Sequence, residues 1–140
     1  MYVPTRVKTT YEDGSISYTD IKYNSKGFIK EIDYQDSSVK FEYDKDDNIT
    51  KVIYDGIEKG CDWTVEYLYK DGLLLERIGK EEFNDLKYET VTRYVYNEKR
   101  ECISETIIQS GNFILSHSYQ YDEVGHIKLE TYNEKNKYFY

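Results

Sequence analysis

The strongest constraint on this chain is a tyrosine that keeps returning just before a polar turn and a fresh apolar strand. The segments read Tyr23-Asn-Ser-Lys-Gly-Phe-Ile, Tyr43-Asp-Lys-Asp-Asp-Asn-Ile, Tyr69-Lys-Asp-Gly-Leu-Leu, Tyr96-Asn-Glu-Lys-Arg-Glu-Cys-Ile and Tyr121-Asp-Glu-Val-Gly-His-Ile. A shorter copy, Tyr11-Glu-Asp-Gly-Ser-Ile, precedes them. From Tyr23 onward the anchoring tyrosines are 20, 26, 27 and 25 residues apart, room for two strands and two turns per unit. A repeat of that length marks a chain built by stacking one supersecondary unit.

Each unit also has an internal period of two. Val39-Lys-Phe41-Glu-Tyr43, Val65-Glu-Tyr67-Leu-Tyr69 and Phe113-Ile-Leu115-Ser-His117-Ser-Tyr119-Gln-Tyr121 alternate, which puts one set of side chains on a common face of a strand. The intervening Asp, Asn and Gly residues tolerate positive φ and close hairpins, as in Glu12-Asp13-Gly14 and Lys70-Asp71-Gly72. The expectation is a single all-β domain over residues 1–140, an antiparallel meander of about eleven Tyr-rich strands. Such a long meander is expected to curl into a half-open or closed barrel. Ile16 and Tyr18 share one parity and Ile21 and Tyr23 the other, so a β-bulge is expected near Thr19-Asp20. Lys80–Lys87 reads as a connecting loop or a single helical turn, with Phe83 and Leu86 on one side of it.

Composition narrows the function classes. Seventeen Tyr against five Phe and one Trp describe surfaces that are apolar on one side and close to water on the other. A net charge of −8 argues against nucleic acid, whose readers need a basic face. No apolar run exceeds three residues and the N-terminus has no apolar leader core, so neither a membrane span nor a signal peptide is expected. The expected location is the cytoplasm, with a mature secreted form whose leader has been removed as the alternative. Cys61 and Cys102 sit in no CxxC or Cys–His cluster and read as ordinary half-buried residues. His117 lies in an aromatic stripe and His126 follows a turn glycine; neither has ligand spacing. With no GxSxG, no activated nucleophile and no phosphate-cradling glycine loop, no catalytic residue, metal or cofactor is expected.

The units resemble the YD repeats of bacterial Rhs-type proteins. That pattern is a Tyr-Asp, a short gap, Gly, then an apolar residue opening the next strand. Tyr121-Asp122-Glu-Val-Gly125-His-Ile127 matches it best, followed by Tyr23-Asn24-Ser-Lys-Gly27-Phe-Ile29 with Asn for Asp. Tyr43-Asp44 keeps the dipeptide but has Asp47 or Asn48 where glycine is expected, and the Tyr96 unit lacks the glycine. The resemblance covers residues 11–132 and carries over no catalytic residues. It implies a bacterial setting in which long YD arrays encase toxins and small cytoplasmic immunity proteins are encoded beside them.

The charge is expected to gather in the turns. Those following the tyrosines carry Glu12, Asp13, Asp44, Asp46, Asp47, Asp71, Asp122 and Glu123, and in a meander alternate turns collect on one margin. An acidic margin would steer a basic protein, with Trp63, Tyr119 and Tyr121 as contact anchors. The expected function is that of an immunity protein that occludes a toxin domain, with a basic nuclease as the expected toxin class. The alternative is a carbohydrate- or surface-binding module stacking Tyr and Trp63 on sugar rings. An exposed edge strand would let two copies pair into a homodimer.

Overall fold

The computed structural model describes residues 3–56, 62–83 and 85–134. They form eleven strands and no helix: β1 (Arg6–Thr10), β2 (Ile16–Tyr23), β3 (Ile29–Asp33), β4 (Ser38–Tyr43), β5 (Ile49–Asp55), β6 (Asp62–Lys70), β7 (Leu73–Phe83), β8 (Leu86–Tyr96), β9 (Cys102–Gln109), β10 (Asn112–Tyr121) and β11 (Ile127–Glu134). Spatial order follows chain order from β1 to β11, so every neighbour is a hairpin partner. β1 and β11 are the two edges of an open sheet, and the closed-barrel alternative does not apply. Most of Lys80–Lys87, expected as a loop or a helical turn, is strand among the described residues: β7 runs through Phe83, β8 starts at Leu86, and Asp85 takes φ 65°.

The repeat has a definite local meaning. In four turns the residue after the tyrosine donates its N–H to the carbonyl four residues on: Asn24 to Phe28, Asp44 to Asn48, Asn97 to Glu101 and Asp122 to His126. Its own carbonyl accepts the amide three residues on, from Gly27, Asp47, Arg100 or Gly125. Those four acceptors' partners all have positive φ, between 65° and 92°. The Asx side chain completes the turn: Asp44 Oδ1 accepts from the amides of Asp46 and Asn48, and Asp122 Oδ1 from those of Val124 and His126. This is why Asp or Asn follows the tyrosine; a short carboxylate or amide reaches amides that would otherwise have only water.

The tyrosine itself is a latch. Tyr23, Tyr43 and Tyr96 donate their hydroxyls to the carbonyls of Pro4 (2.7 Å), Ile29 (2.6 Å) and Leu74 (2.6 Å), and Tyr121 donates to Cys102. Each reaches back over the strand before it, to a carbonyl at or near that strand's opening. A phenylalanine would leave that carbonyl to solvent. The register shifts at these same tyrosines, between Lys22 and Tyr23, Glu42 and Tyr43, Val95 and Tyr96, and Gln120 and Tyr121. The bulge therefore recurs with the repeat. β2 pairs with β1 without a shift across Thr19-Asp20, so the bulge expected there is absent and the two apolar sets of β2 face opposite sides.

Contacts gather in two compact units, Met1–Val65 with Glu81–Lys87, and Glu66–Lys80 with Tyr88–Tyr140. Neither is built around a closed core. Among the described residues only Val65, 3% exposed, is a buried hydrophobe, and only Thr92, 5% exposed, is a buried polar residue. Chain length alone would suggest a much larger core; one sheet layer has no second surface against which to bury its face.

Candidate binding faces

Register defines what each face of the sheet carries. In the first unit one row runs Ile21–Ile32–Val39–Tyr54 across β2 to β5, and Trp63 of β6 stacks on Tyr54 with centroids 5.4 Å apart. A neighbouring row pairs Phe41 with Val52, and Tyr43 with Ile49. None of these side chains is charged, and all stay part-exposed. The opposite face carries a charge ladder beside the exposed Ile16 and Tyr18 of β2. Arg6 clasps Asp20 at 2.7 and 3.1 Å, Lys22 pairs with Glu31 at 3.5 Å, and Glu31 and Glu42 lie across from Lys40 and Lys51. The Arg6 guanidinium holds the Asp20 carboxyl below its ordinary pKa.

The second unit fills the corresponding row differently. Tyr94, Glu105, His117 and Tyr132 lie across one another on β8 to β11. His117 Nδ1 lies 3.1 Å from Glu130 Oε1, and its ring packs between those of Tyr119 (6.2 Å) and Tyr132 (5.4 Å). Tyr94 and Tyr119 both have raised pKa values, first from desolvation and then from the Glu105 carboxylate, with Glu130 adding to the effect at Tyr119. This is an aromatic surface with a negative potential. On the other face Arg93 pairs with Glu76 at 3.1 Å and Lys80 with Glu66 at 3.8 Å, neutralising it locally.

Of the residues singled out by sequence, Tyr119, Tyr121 and Asp122 come together. With Asn97, Glu98 and Glu101 they line a shallow depression of about 600 Å³. Glu123 is exposed beside it. Asp44 and Asp122 are committed to their turns, and the Asp44 carboxyl is held low by the Asn48 amide. Asp47 sits in a left-handed conformation and takes the Lys26 ammonium at 2.7 Å; Asp46 is exposed. Asp71 is also left-handed, and its carbonyl accepts a hydrogen bond from Arg100. Glu12 and Asp13 belong to the β1–β2 turn. In an antiparallel meander that turn lies at the opposite strand ends from Asn24–Phe28 and Asp44–Asn48, so the expected grouping with Asp44, Asp46 and Asp47 does not hold. Trp63 lies on the uncharged face of the first unit. Cys61 falls outside the described residues, and Cys102 is a part-buried thiol with its pKa raised by desolvation.

Glu105, Glu130 and Tyr94 had not been singled out, nor had the Ile21, Ile32, Val52 and Tyr54 that extend the Val39–Phe41 face across neighbouring strands. The signal was present: counting residues back from each Asx turn, with one skipped at each tyrosine bulge, brings Tyr94, Glu105 and His117 into line.

No family model matches the chain, and no curated protein matches it. Among solved structures, a protein of unknown function from Bacteroides fragilis NCTC 9343 (BF3112) is similar over 95% of this chain and 94% of that chain. The identity is 14% and the TM-score 0.20.

Proposed function

We propose that this chain is a non-catalytic binding protein that takes a basic protein partner on the aromatic face of its second unit. The reading is carried by one observation: Glu105 and Glu130 stand among Tyr94, His117, Tyr119 and Tyr132 on a part-exposed sheet face. Rings flanked by carboxylates suit lysine and arginine side chains, through ring faces and charge-assisted hydrogen bonds together. The net charge of −8 would speed the approach of such a partner. Together with the YD-like repeat, this favours a cytoplasmic immunity protein that covers the substrate surface of a basic toxin domain.

The test is titration and co-expression with the toxin domain encoded beside the gene. A complex should form whose affinity falls as salt rises, and cells should be rescued. Tyr119→Ala and Glu105→Gln should each weaken binding about tenfold or more. Failure to rescue, with no complex formed, overturns the reading. The same rings and carboxylates also suit sugar hydroxyls, so calorimetry with oligosaccharides distinguishes a carbohydrate ligand from a protein partner.

A further inference from the structure

We propose that His117 is a proton switch on the aromatic face of the second unit. Uncharged, it leaves the face open to a basic side chain; protonated, it occupies the carboxylates itself. The inference rests on the reading of that face as one that takes basic side chains, and adds its regulation. His117 stands between acids from two different strands. Glu105 of β9 lies directly across from it, and Glu130 of β11 brings Oε1 to 3.1 Å from Nδ1. Tyr119 and Tyr132 flank the ring at 6.2 and 5.4 Å. Along the same row Tyr94 of β8 lies across from Glu105, and Arg77 of β7 bears on Tyr94, two strands from His117. On β11, Glu134 lies across from Leu115, and Lys128 stands two residues before Glu130 at the register shift.

Histidine is the side chain whose charge ordinarily changes between about pH 5 and 8, a range in which carboxylates are ionised. Uncharged, the ring can donate Nδ1–H to Glu130 and keep Nε2 as an acceptor. The second oxygen of Glu130 and both oxygens of Glu105 then remain to receive a guanidinium or an ammonium. Protonated, the ring donates from both nitrogens and has no acceptor left. It also sets a positive charge where a basic partner would place its own. Two unit charges about 6 Å apart, in a dielectric between those of water and protein, oppose each other by about tenfold in affinity. The sign follows by linkage. A proton and a basic side chain compete for one pair of acids, so binding expels the proton and acid expels the partner. The corresponding row of the first unit, Ile21–Ile32–Val39–Tyr54, holds no histidine and has no such switch. His126 lies in the β10–β11 turn, 3.5 Å from Asp122 with its side chain 81% exposed, and serves as the control.

A hexa-arginine peptide tests the switch, titrated into the full chain at fixed low salt at about pH 7.5 and about pH 5.5. The dissociation constant should be about tenfold larger at the lower pH. His117→Gln keeps a hydrogen-bonding side chain but takes no proton, and should bring that ratio to about one. His126→Gln should leave the ratio at about tenfold. Calorimetry of the native chain at about pH 6.5, in two buffers of different ionisation enthalpy, should show a fraction of a proton released per complex. That readout decides the matter if the His117 variant does not fold. Equal affinity at the two pH values, a ratio that survives His117→Gln, or proton uptake on binding overturns the switch while leaving the face a cation site. A peptide that binds at neither pH overturns the switch as well, and the toxin titration, which presents a folded partner, then decides the wider reading by itself.

Discussion

The two units solve the same geometric problem with opposite chemistry. Both are antiparallel hairpins closed by the same Asx turn, the same bulge and the same tyrosine latch. Yet the row that reads Ile21–Ile32–Val39–Tyr54 in one reads Tyr94–Glu105–His117–Tyr132 in the other. Backbone architecture here belongs to the turns and the tyrosines, which leaves the face free to vary.

The most severe way to break this comparison is to exchange the chemistries. Ile32→Glu places a carboxylate between Ile21 and Val39, away from any cation on that face. It should cost about 3 kcal/mol or more in denaturant unfolding. The reverse exchange, Glu105→Leu, should leave folding stability unchanged or raise it by about 0.5 kcal/mol. It should also weaken the basic partner about tenfold, the usual trade of function against stability. If the two substitutions cost the same, the faces are not chemically distinct.

Much of this was readable before any coordinates. The strand number, the chain-order meander and the glycine turns follow from the spacing of Tyr23, Tyr43, Tyr69, Tyr96 and Tyr121, because local alternation and turn chemistry are short-range properties. What escaped was anything that depends on register. The parity of Ile16 and Tyr18 against Ile21 and Tyr23 suggested a bulge at Thr19-Asp20, but the strand is continuous there and simply apolar on both sides. Glu12 and Asp13 resemble the later acidic turns in sequence, yet they close the hairpin at the other strand ends. Lys80–Lys87 is polar enough to pass for a loop, yet β7 continues through Phe83 and β8 begins at Leu86. That no second layer covers either row among the described residues is not encoded in any local window.

Next in size is the latch, common to both units. Tyr43→Phe removes the hydrogen bond to the Ile29 carbonyl and Tyr96→Phe the one to Leu74. Each should cost about 1 kcal/mol, and near-equal losses would confirm that the two units share one closing device.

The units should also separate along the pH axis. Asp13, Asp20 and Asp44, all in the first unit, have carboxyls held below the ordinary range by the Ser15 hydroxyl, the Arg6 guanidinium and the Asn48 amide respectively. Their folded pKa values are depressed, so their contribution is present above the unfolded value of about 4 and lost as pH falls through the folded values. Tyr94, Tyr96, Tyr119 and Tyr121, all in the second unit, are raised, first by desolvation. Folding favours their protonated forms, so that contribution is present below about 10 and lost as pH rises through the raised values. Residue-resolved amide exchange should therefore show the first unit loosening toward acid and the second toward alkali. Loosening of both units together at both extremes would show that they open as one.

The smallest effect lies in the left-handed turn position, where the repeat uses glycine twice and other residues twice. Gly27 and Gly125 occupy it at φ 87° and 92°, whereas Asp47 and Arg100 hold it at 65° and 67°. A side chain there costs about 1 kcal/mol in strain, and glycine gives back most of that through the freedom it adds to the unfolded chain. Asp47→Gly also loses the Lys26 pair, whose side chains are 56% and 38% exposed, a contact worth little in water. The net change should lie within about 0.5 kcal/mol of zero. Arg100→Gly relieves the same strain but loses a directed hydrogen bond to the Asp71 carbonyl, 2.7 Å away in the neighbouring turn. It should therefore be the more costly of the two by about 0.5 kcal/mol. Equal costs would mean that this strap between adjacent turns contributes nothing.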